Sequence, residues 1–529
     1  MKKFCWKDWI ATLLTGLVLG ILLSHLDGQG HWWNGWLAFC LLSFLSCASL
    51  MVAWQWTGSH RWLGFLLLLA FGLRLGLGVG LTLALPTSGY DTAVQQAGYN
   101  SVDAYARDMQ AWELATSNRP ILDAFDKTYA IDQYGGLEAL SALVYRSLSP
   151  DAHRPWLILL LSALTSTLGI VFFWKAASSV WDEKIAMLAA WGLALYPESL
   201  WWSASQMREP FLLMFISLLF FGIVAWQMDR ERRGWVWIAA GVIGMLFFSP
   251  GIAIYAILFL AGWVWLRKKP LTIPWKGLAL AAGALVLALL LLWAALRRGS
   301  FAGAPFVETL TGWFRYSMAW DVYQLERDSG MIQHLFRYVL NPQLKLPFIF
   351  IYGLLQPVLP AAIFDPSTWL WQTVGILRSL GWYLLMPLLV FSLVAILRSP
   401  TSEQRSAWLW LFVINGLWIA ISVLRAGGDQ WDNPRYRLIF LGFQSLLAAK
   451  AWLYYSASHD HWLPRILLIE LVFTFLFVDW YASRFFPFIP ALSFMVMLLV
   501  IFSISALIVL GGVWQDHRKR RNKSVEKGS

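Results

Sequence analysis

Apolar runs of roughly twenty residues recur from one end of this chain to the other, and a single long polar stretch interrupts them early. A helix needs about 20 mainly apolar residues to cross the hydrocarbon core of a bilayer. On that criterion the pattern predicts fourteen spans, at 10–26, 35–56, 62–85, 155–175, 185–201, 209–227, 235–249, 251–266, 277–296, 376–397, 406–425, 436–456, 464–480 and 488–513. A transmembrane barrel would instead alternate in short segments, which this chain does not. The fold class is therefore an all-α polytopic membrane protein, a bundle of about 13–14 transmembrane helices with two larger loops on the outer face.

The same pattern divides the chain. Residues 1–85 hold the N-terminal spans and 86–153 the first large outer loop, with short amphipathic helices. Residues 154–296 hold the central spans and 297–375 the second outer loop. Residues 376–513 hold the C-terminal spans, and 514–529 form a basic tail. Within the second loop, 346–368 is apolar but carries Pro347, Pro357, Pro360 and Pro366, which favours an interfacial or re-entrant element over a full crossing. In the first loop, 102–112 has apolar residues at helical spacing.

Charge sets the orientation. Lys2, Lys3 and Lys7, Arg230, Arg232 and Arg233, Arg267 with Lys268 and Lys269, Arg398 and Arg405, and the tail all fall on one side of an even number of crossings. Positive charge collects on the cytoplasmic side, so both termini are expected inside, in a plasma (inner) membrane. The net charge of +11 is thereby a topology signal and does not imply nucleic acid. The 35 tryptophans crowd the ends of the apolar runs, as an interfacial aromatic belt does. Three cysteines form no paired framework and no metal-binding spacing. There is no phosphate loop of the GxxxxGK[ST] type and no HExxH zinc motif, which argues against a nucleotide-driven pump and a zinc protease.

Candidate chemistry sits in three places. The first loop carries Asp91, Asp103, Asp108, Glu113, Asp123, Asp126 and Asp132. Asp91 or Asp103 could deprotonate an acceptor hydroxyl as a general base, with Asp108, Asp132 and Tyr134 in support. Asp103 and Asp108 lie about 140° apart around a helix, so they do not share a face. The second place is the junction 195–211, where a span ends and the next begins at Arg208, Glu209 and Pro210. Glu209 is a helix-start acid favoured by the macrodipole or a second acid of the same cavity. Arg208 is an anion contact. The third is 427–438, with Arg435 and Arg437, whose planar guanidinium groups suit a lipid phosphate. Arg74 lies inside a span beside Gly72, Gly76, Gly78 and Gly80, and an intramembrane arginine is a functional candidate by default.

Together these features resemble the GT-C superfamily of integral-membrane glycosyltransferases, which includes protein O-mannosyltransferases and lipid A aminoarabinose transferases. The resemblance rests on the arginine-bearing span followed by Asp103-Ala104-Tyr105-Ala106-Arg107-Asp108. It also rests on the Tyr-Pro…Ser…Arg-Glu-Pro junction at 196–210 and on Pro434-Arg435-Tyr436-Arg437-Leu438. It departs from several relatives in having no adjacent acid pair in the first loop and in placing three spans before that loop. The choice of base between Asp91 and Asp103 stays open.

The resemblance implies transfer of a sugar from a polyprenyl-phosphate donor to a lipid, glycan or protein acceptor on the outer face. An outer-loop Asp would be the base, and Arg74, Arg208, Arg435 and Arg437 would meet the lipid phosphate. No cofactor is required; a divalent cation is compatible with the acids but not demanded by them. The alternatives are a lipid-carrier-dependent polysaccharide polymerase or O-antigen ligase, which would not need Asp91 or Asp103, and a transporter or lipid flippase. The inverted repeats and midplane acids of transporters are not evident here.

Overall fold

A computed structural model describes residues 6–126, 134–229, 233–268, 305, 330–399, 405–486, 488–490 and 492–526. Among these residues every regular element is helical. In chain order they begin with α1 (Trp6–Asp27), α2 (Trp32–Trp56), α3 (Arg61–Ser88), α4 (Ala93–Gln96), α5 (Val102–Thr116), α6 (Gly136–Leu148) and α7 (Trp156–Val180). There follow α8 (Glu183–Leu195), α9 (Pro197–Ser203), α10 (Glu209–Asp229), α11 (Arg233–Phe248) and α12 (Pro250–Lys268). The later helices are named by their residues.

Ten described helices are long and apolar enough to cross a membrane, and an eleventh is counted if the bent pair Asp432–Leu438 and Leu441–Ser458 is one span. The chain is a multi-pass, all-helical membrane protein. The expected span 185–201 is broken: α8 has 13 residues, Tyr196 leaves the helical region at φ −58° and ψ 124°, and Pro197 restarts the chain as the seven-residue α9. Proline has no N–H to continue the ladder, and it pushes the residue before it towards extended backbone. Thirteen residues rise only about 20 Å, less than the hydrocarbon thickness. The expected span 235–249 becomes α11, a 16-residue helix below crossing length. The span expected at 436–456 is bent by 76° near Ile439 and Phe440. Helix Pro342–Leu355, 14 residues long, accounts for the first half of the proline-punctuated stretch and is also too short to cross as an ordinary span. The span expected at 277–296 and most of the second loop lie outside the described residues.

The chain divides into two compact units. The first comprises Met1–Leu260, Leu359–Ala395 and Leu438–Ser529. Its centre is α7, which packs against α2, α3, α8 and α10 and is 72% buried over its apolar window. Close approach shapes its edge: a side chain at Gly16 or Gly20 would lie 2.7 Å from the Phe44 backbone or 2.5 Å from Cys40 Sγ, so only small residues let α1 and α2 cross there. Between α3 and α7 the chain forms a polar module, α4 to α6, which joins the bundle where α3 ends and α7 begins. Helices Trp462–Phe485 and Phe494–Glu526 pack on each other, and their apolar windows are only 11% and 6% buried, so lipid supplies most of their surroundings. The second unit comprises Ala261–Val358 and Ile396–Arg437, in which Pro342–Leu355 packs along Arg405–Ala426.

Candidate functional site

The module between α3 and α7 is built on buried charge. Helix α5 starts where the Ser101 hydroxyl accepts from Ala104 N, a standard N-terminal cap. At its other end Arg146 of α6 donates to the carbonyls of Leu114, Ala115, Ser117 and Arg119, at 2.5 to 3.1 Å. Those carbonyls have no donor of their own within the helix. Asp108, fully buried, accepts from Tyr99 Oη at 2.6 Å, from Tyr145 Oη at 2.5 Å and pairs with His153 Nε2 at 3.0 Å. His153 is also stacked on Trp112, with ring centroids 5.2 Å apart. Burial, and then the Asp108 charge, push the phenols of Tyr99 and Tyr145 well above their ordinary value, so both remain donors. Asp108 therefore holds the module together rather than facing a substrate.

Arg154 ties the connection between α6 and α7 to the turn between α1 and α2. Its guanidinium contacts Asp151 at 2.7 and 3.0 Å, the Gln29 carbonyl at 2.8 Å, the His31 carbonyl at 3.1 Å and Asp27 at 3.6 Å. The Arg154 hydrogen bonds hold the Asp151 carboxyl well below the usual carboxylate range.

One face of α5 reaches the junction that precedes α10. Asp103, half-exposed, meets Arg107 one turn on, at 3.3 Å. Arg107 is buried and its Nη1 lies 3.4 Å from Met207 Sδ. The next residue, Arg208, is 6% exposed. Its Nε and Nη1 have no hydrogen-bond partner among the described residues, and its guanidinium carbon lies 5.2 Å from the centre of the Tyr134 ring. Glu209 is buried in the first turn of α10. Arg107 thus links Asp103 to Met207, and Tyr134 meets the next residue, Arg208, which Glu209 follows in the chain; Asp132 lies outside the described residues.

Arg74 is placed otherwise. Its guanidinium is buried and donates to the carbonyls of Ala70 at 3.1 Å, Leu193 at 3.1 Å and Ala194 at 3.0 Å, and to Ser199 Oγ at 2.9 Å. The break at Pro197 leaves the last carbonyls of α8 without intrahelical donors, and Arg74 supplies them. Arg74, expected at a lipid phosphate, holds the end of the broken helix, and its Nε has no hydrogen-bond partner among the described residues. In the second unit Arg437 is also spent on a helix end: it donates to the carbonyls of Leu354, at 3.3 Å, and Gln356, at the close of Pro342–Leu355. Arg435 is buried and pairs with Asp432 at 3.3 Å. Both arginines, expected at a lipid phosphate, are held within their own unit, Arg437 at a helix end and Arg435 beside Asp432.

Asp91 lies apart from Asp103. It is exposed and accepts weakly from Gln96, at 3.5 Å. Its neighbour Tyr90 stacks on Trp371, with centroids 6.1 Å apart and planes 10° from parallel.

One charged pair was not singled out from the sequence. Glu198 of α9 accepts from Arg378 Nε at 2.7 Å and from Trp202 Nε1 at 3.0 Å, with both charged side chains buried. Arg378 falls inside the predicted span 376–397, and the rule that flagged Arg74 would have flagged it too.

A separate cavity of about 1210 Å³ runs between α1, α2 and α3 and is lined almost wholly by apolar side chains and by Gly72, Gly76 and Gly80. Asp8 and Arg61 are the charged residues among its lining. Among the described residues no group of three or more His, Cys, Asp or Glu side chains is arranged to hold a metal ion. No family model matches the chain, and no curated protein or solved structure matches it either.

Proposed function

We propose that this membrane protein is a glycosyltransferase, moving a sugar from a polyprenyl-phosphate donor to a hydroxyl of a lipid, glycan or protein acceptor at the outer face. One observation carries the reading. Arg208 is a buried guanidinium with two nitrogens unmatched by any described acceptor, and it follows directly on Met207, which is contacted by Arg107, the ion-pair partner of Asp103. A buried charge is costly unless it is paired, so a site that keeps one open is suited to an anion that arrives and leaves. Arginine matches a phosphate in shape as well as in charge.

The chemistry follows from that pairing of roles. The acceptor oxygen forms a bond to the anomeric carbon while the bond from that carbon to the phosphate oxygen breaks. The electron pair leaves on the phosphate, where Arg208 stabilises it. The acceptor proton passes to a carboxylate, and Asp103, half-exposed beside Arg107, takes that role, while Glu209 follows Arg208 directly in the chain. The donor is activated beforehand, so the reaction needs no nucleotide. Arg74 and Arg437 take no part, being occupied by helix-end carbonyls.

The test is mass spectrometry of polyprenyl-phosphate sugars and surface glycans in cells with and without the chain. Accumulation of a donor lipid and loss of one glycan are expected on deletion. Unchanged donor pools together with unchanged glycans would sink the proposal.

A further inference from the structure

The segment after α3 and the first turn of helix Trp369–Arg398 meet at an aromatic surface. Tyr90 lies flat on Trp371, which in turn meets the edge of Trp201 at 5.5 Å and 67°. The Gln95 side-chain oxygen fixes the stack by accepting from Trp371 Nε1 at 3.0 Å and from the Tyr90 backbone N–H at 2.5 Å. One face of the Tyr90 ring is therefore covered, and 42% of the residue remains exposed. Asp91 follows in the chain, and Asp365 lies close enough to the phenol to act on its charge. Neither carboxylate has an ion-pair partner among the described residues, and no described lysine or arginine sits over the ring.

We infer that Tyr90, Asp91 and Asp365 form a seat for a pyranose ring, with the exposed face of Tyr90 as its floor. An immobilised aromatic face takes the C–H face of a sugar, as rings take other apolar faces. Carboxylates with free lone pairs accept from neighbouring hydroxyls, and each ionised oxygen accepts more strongly than a neutral one. Burial raises the Asp365 carboxyl above the ordinary carboxylate value, which makes it the stronger acceptor of a hydroxyl proton. The negative surround excludes a phosphate here, and it sets this seat apart from the Arg208 junction. As an acceptor seat it rests on the transferase reading; as a carbohydrate site it stands by itself.

Saturation-transfer NMR on the full chain in nanodiscs, with cellobiose, chitobiose and mannobiose as probes, tests the seat. Transfer to the ring C–H protons of at least one disaccharide is expected. It falls roughly tenfold in Tyr90→Ala, is kept in Tyr90→Phe, which retains the stack, and is weakened in Asp365→Asn. No transfer to any of the three sugars overturns the seat, as does equal transfer in Tyr90→Ala or a response to ethanolamine alone. Failure here in a protein that still turns over lipid-linked sugar removes the seat and leaves the transferase. Sugar binding in a protein that never turns over such a donor does the reverse.

Discussion

Arg378 Nε donates to Glu198 Oε1 across 2.7 Å, and 3% and 0% of the two side chains are exposed. The pair joins the short helix after the Pro197 break to helix Trp369–Arg398. Removing one partner of a buried ion pair leaves the other charge uncompensated, which typically costs about 3–5 kcal/mol. Glu198→Gln and Arg378→Ala should each lower the detergent unfolding midpoint markedly. The paired replacement Glu198→Leu with Arg378→Met should recover much of the loss. A double variant as unstable as the worse single one would show that the pair is needed for its own geometry.

Asp108 sits under three donors, and hydrogen bonds to a charged group are worth about 1.5–3 kcal/mol each. Asp108→Asn keeps the shape but turns one oxygen into a donor facing Tyr99, Tyr145 or His153. The variant should expose residues 93–148 to hydrogen exchange while α7 and α10 stay protected. Tyr145→Phe, which loses one bond and keeps the ring against Trp112, should have a smaller effect. Uniform loss of protection across the bundle would count against a local role.

The tie between Asp151 and Arg154 has a pH signature. The Arg154 hydrogen bonds hold the Asp151 carboxyl below its ordinary range, so the tie is fully present above the ordinary carboxylate value and weakens as pH falls below it. The wild-type module should loosen at the acid end, read as proteolysis near residues 27–31 and 149–154. Asp151→Asn should already be looser at neutral pH and should change little on acidification. Equal acid sensitivity in both proteins would place the titration elsewhere.

Much of this molecule can be read from hydropathy, because a twenty-residue apolar run has few alternatives to a membrane helix. The errors have one cause. Pro197 and the bend after Leu438 interrupt runs whose composition alone would cross the bilayer. The Pro197 break leaves carbonyls that the buried Arg74 satisfies, and Arg437 does the same at the end of helix Pro342–Leu355. Arg74 and Arg437 are for that reason indistinguishable by sequence from substrate-binding arginines, since both uses need a guanidinium at membrane depth. Helix α5 is legible from spacing. That Asp103 faces out and Asp108 faces in follows from their angular separation, but the identity of the partners Tyr99, Tyr145 and His153 depends on chain folding between residues up to 45 positions apart. The aromatic stack of Tyr90 and Trp371 joins residues still farther apart and left no local signal.

Arg208 and Asp103 give the sharpest separation of roles. If Arg208 stabilises the departing phosphate, Arg208→Ala should lower turnover by about 10²–10³, the usual cost of removing one preorganised donor from developing negative charge. Arg208→Lys should recover part of this, because a point charge remains but the planar match is lost. Asp103→Asn should lower turnover by about 10²–10⁴, the range general-base catalysis supplies, with little change in donor affinity. Its partner offers a control: Arg107→Met keeps contact with Met207 and removes the Asp103 ion pair, so the activity profile should shift to higher pH as the carboxyl loses its cation. Turnover measured on a synthetic polyprenyl-phosphate sugar in nanodiscs decides between these outcomes. Full activity in Arg208→Ala would remove the phosphate role from this junction, and full activity in Asp103→Asn would return the base to Asp91.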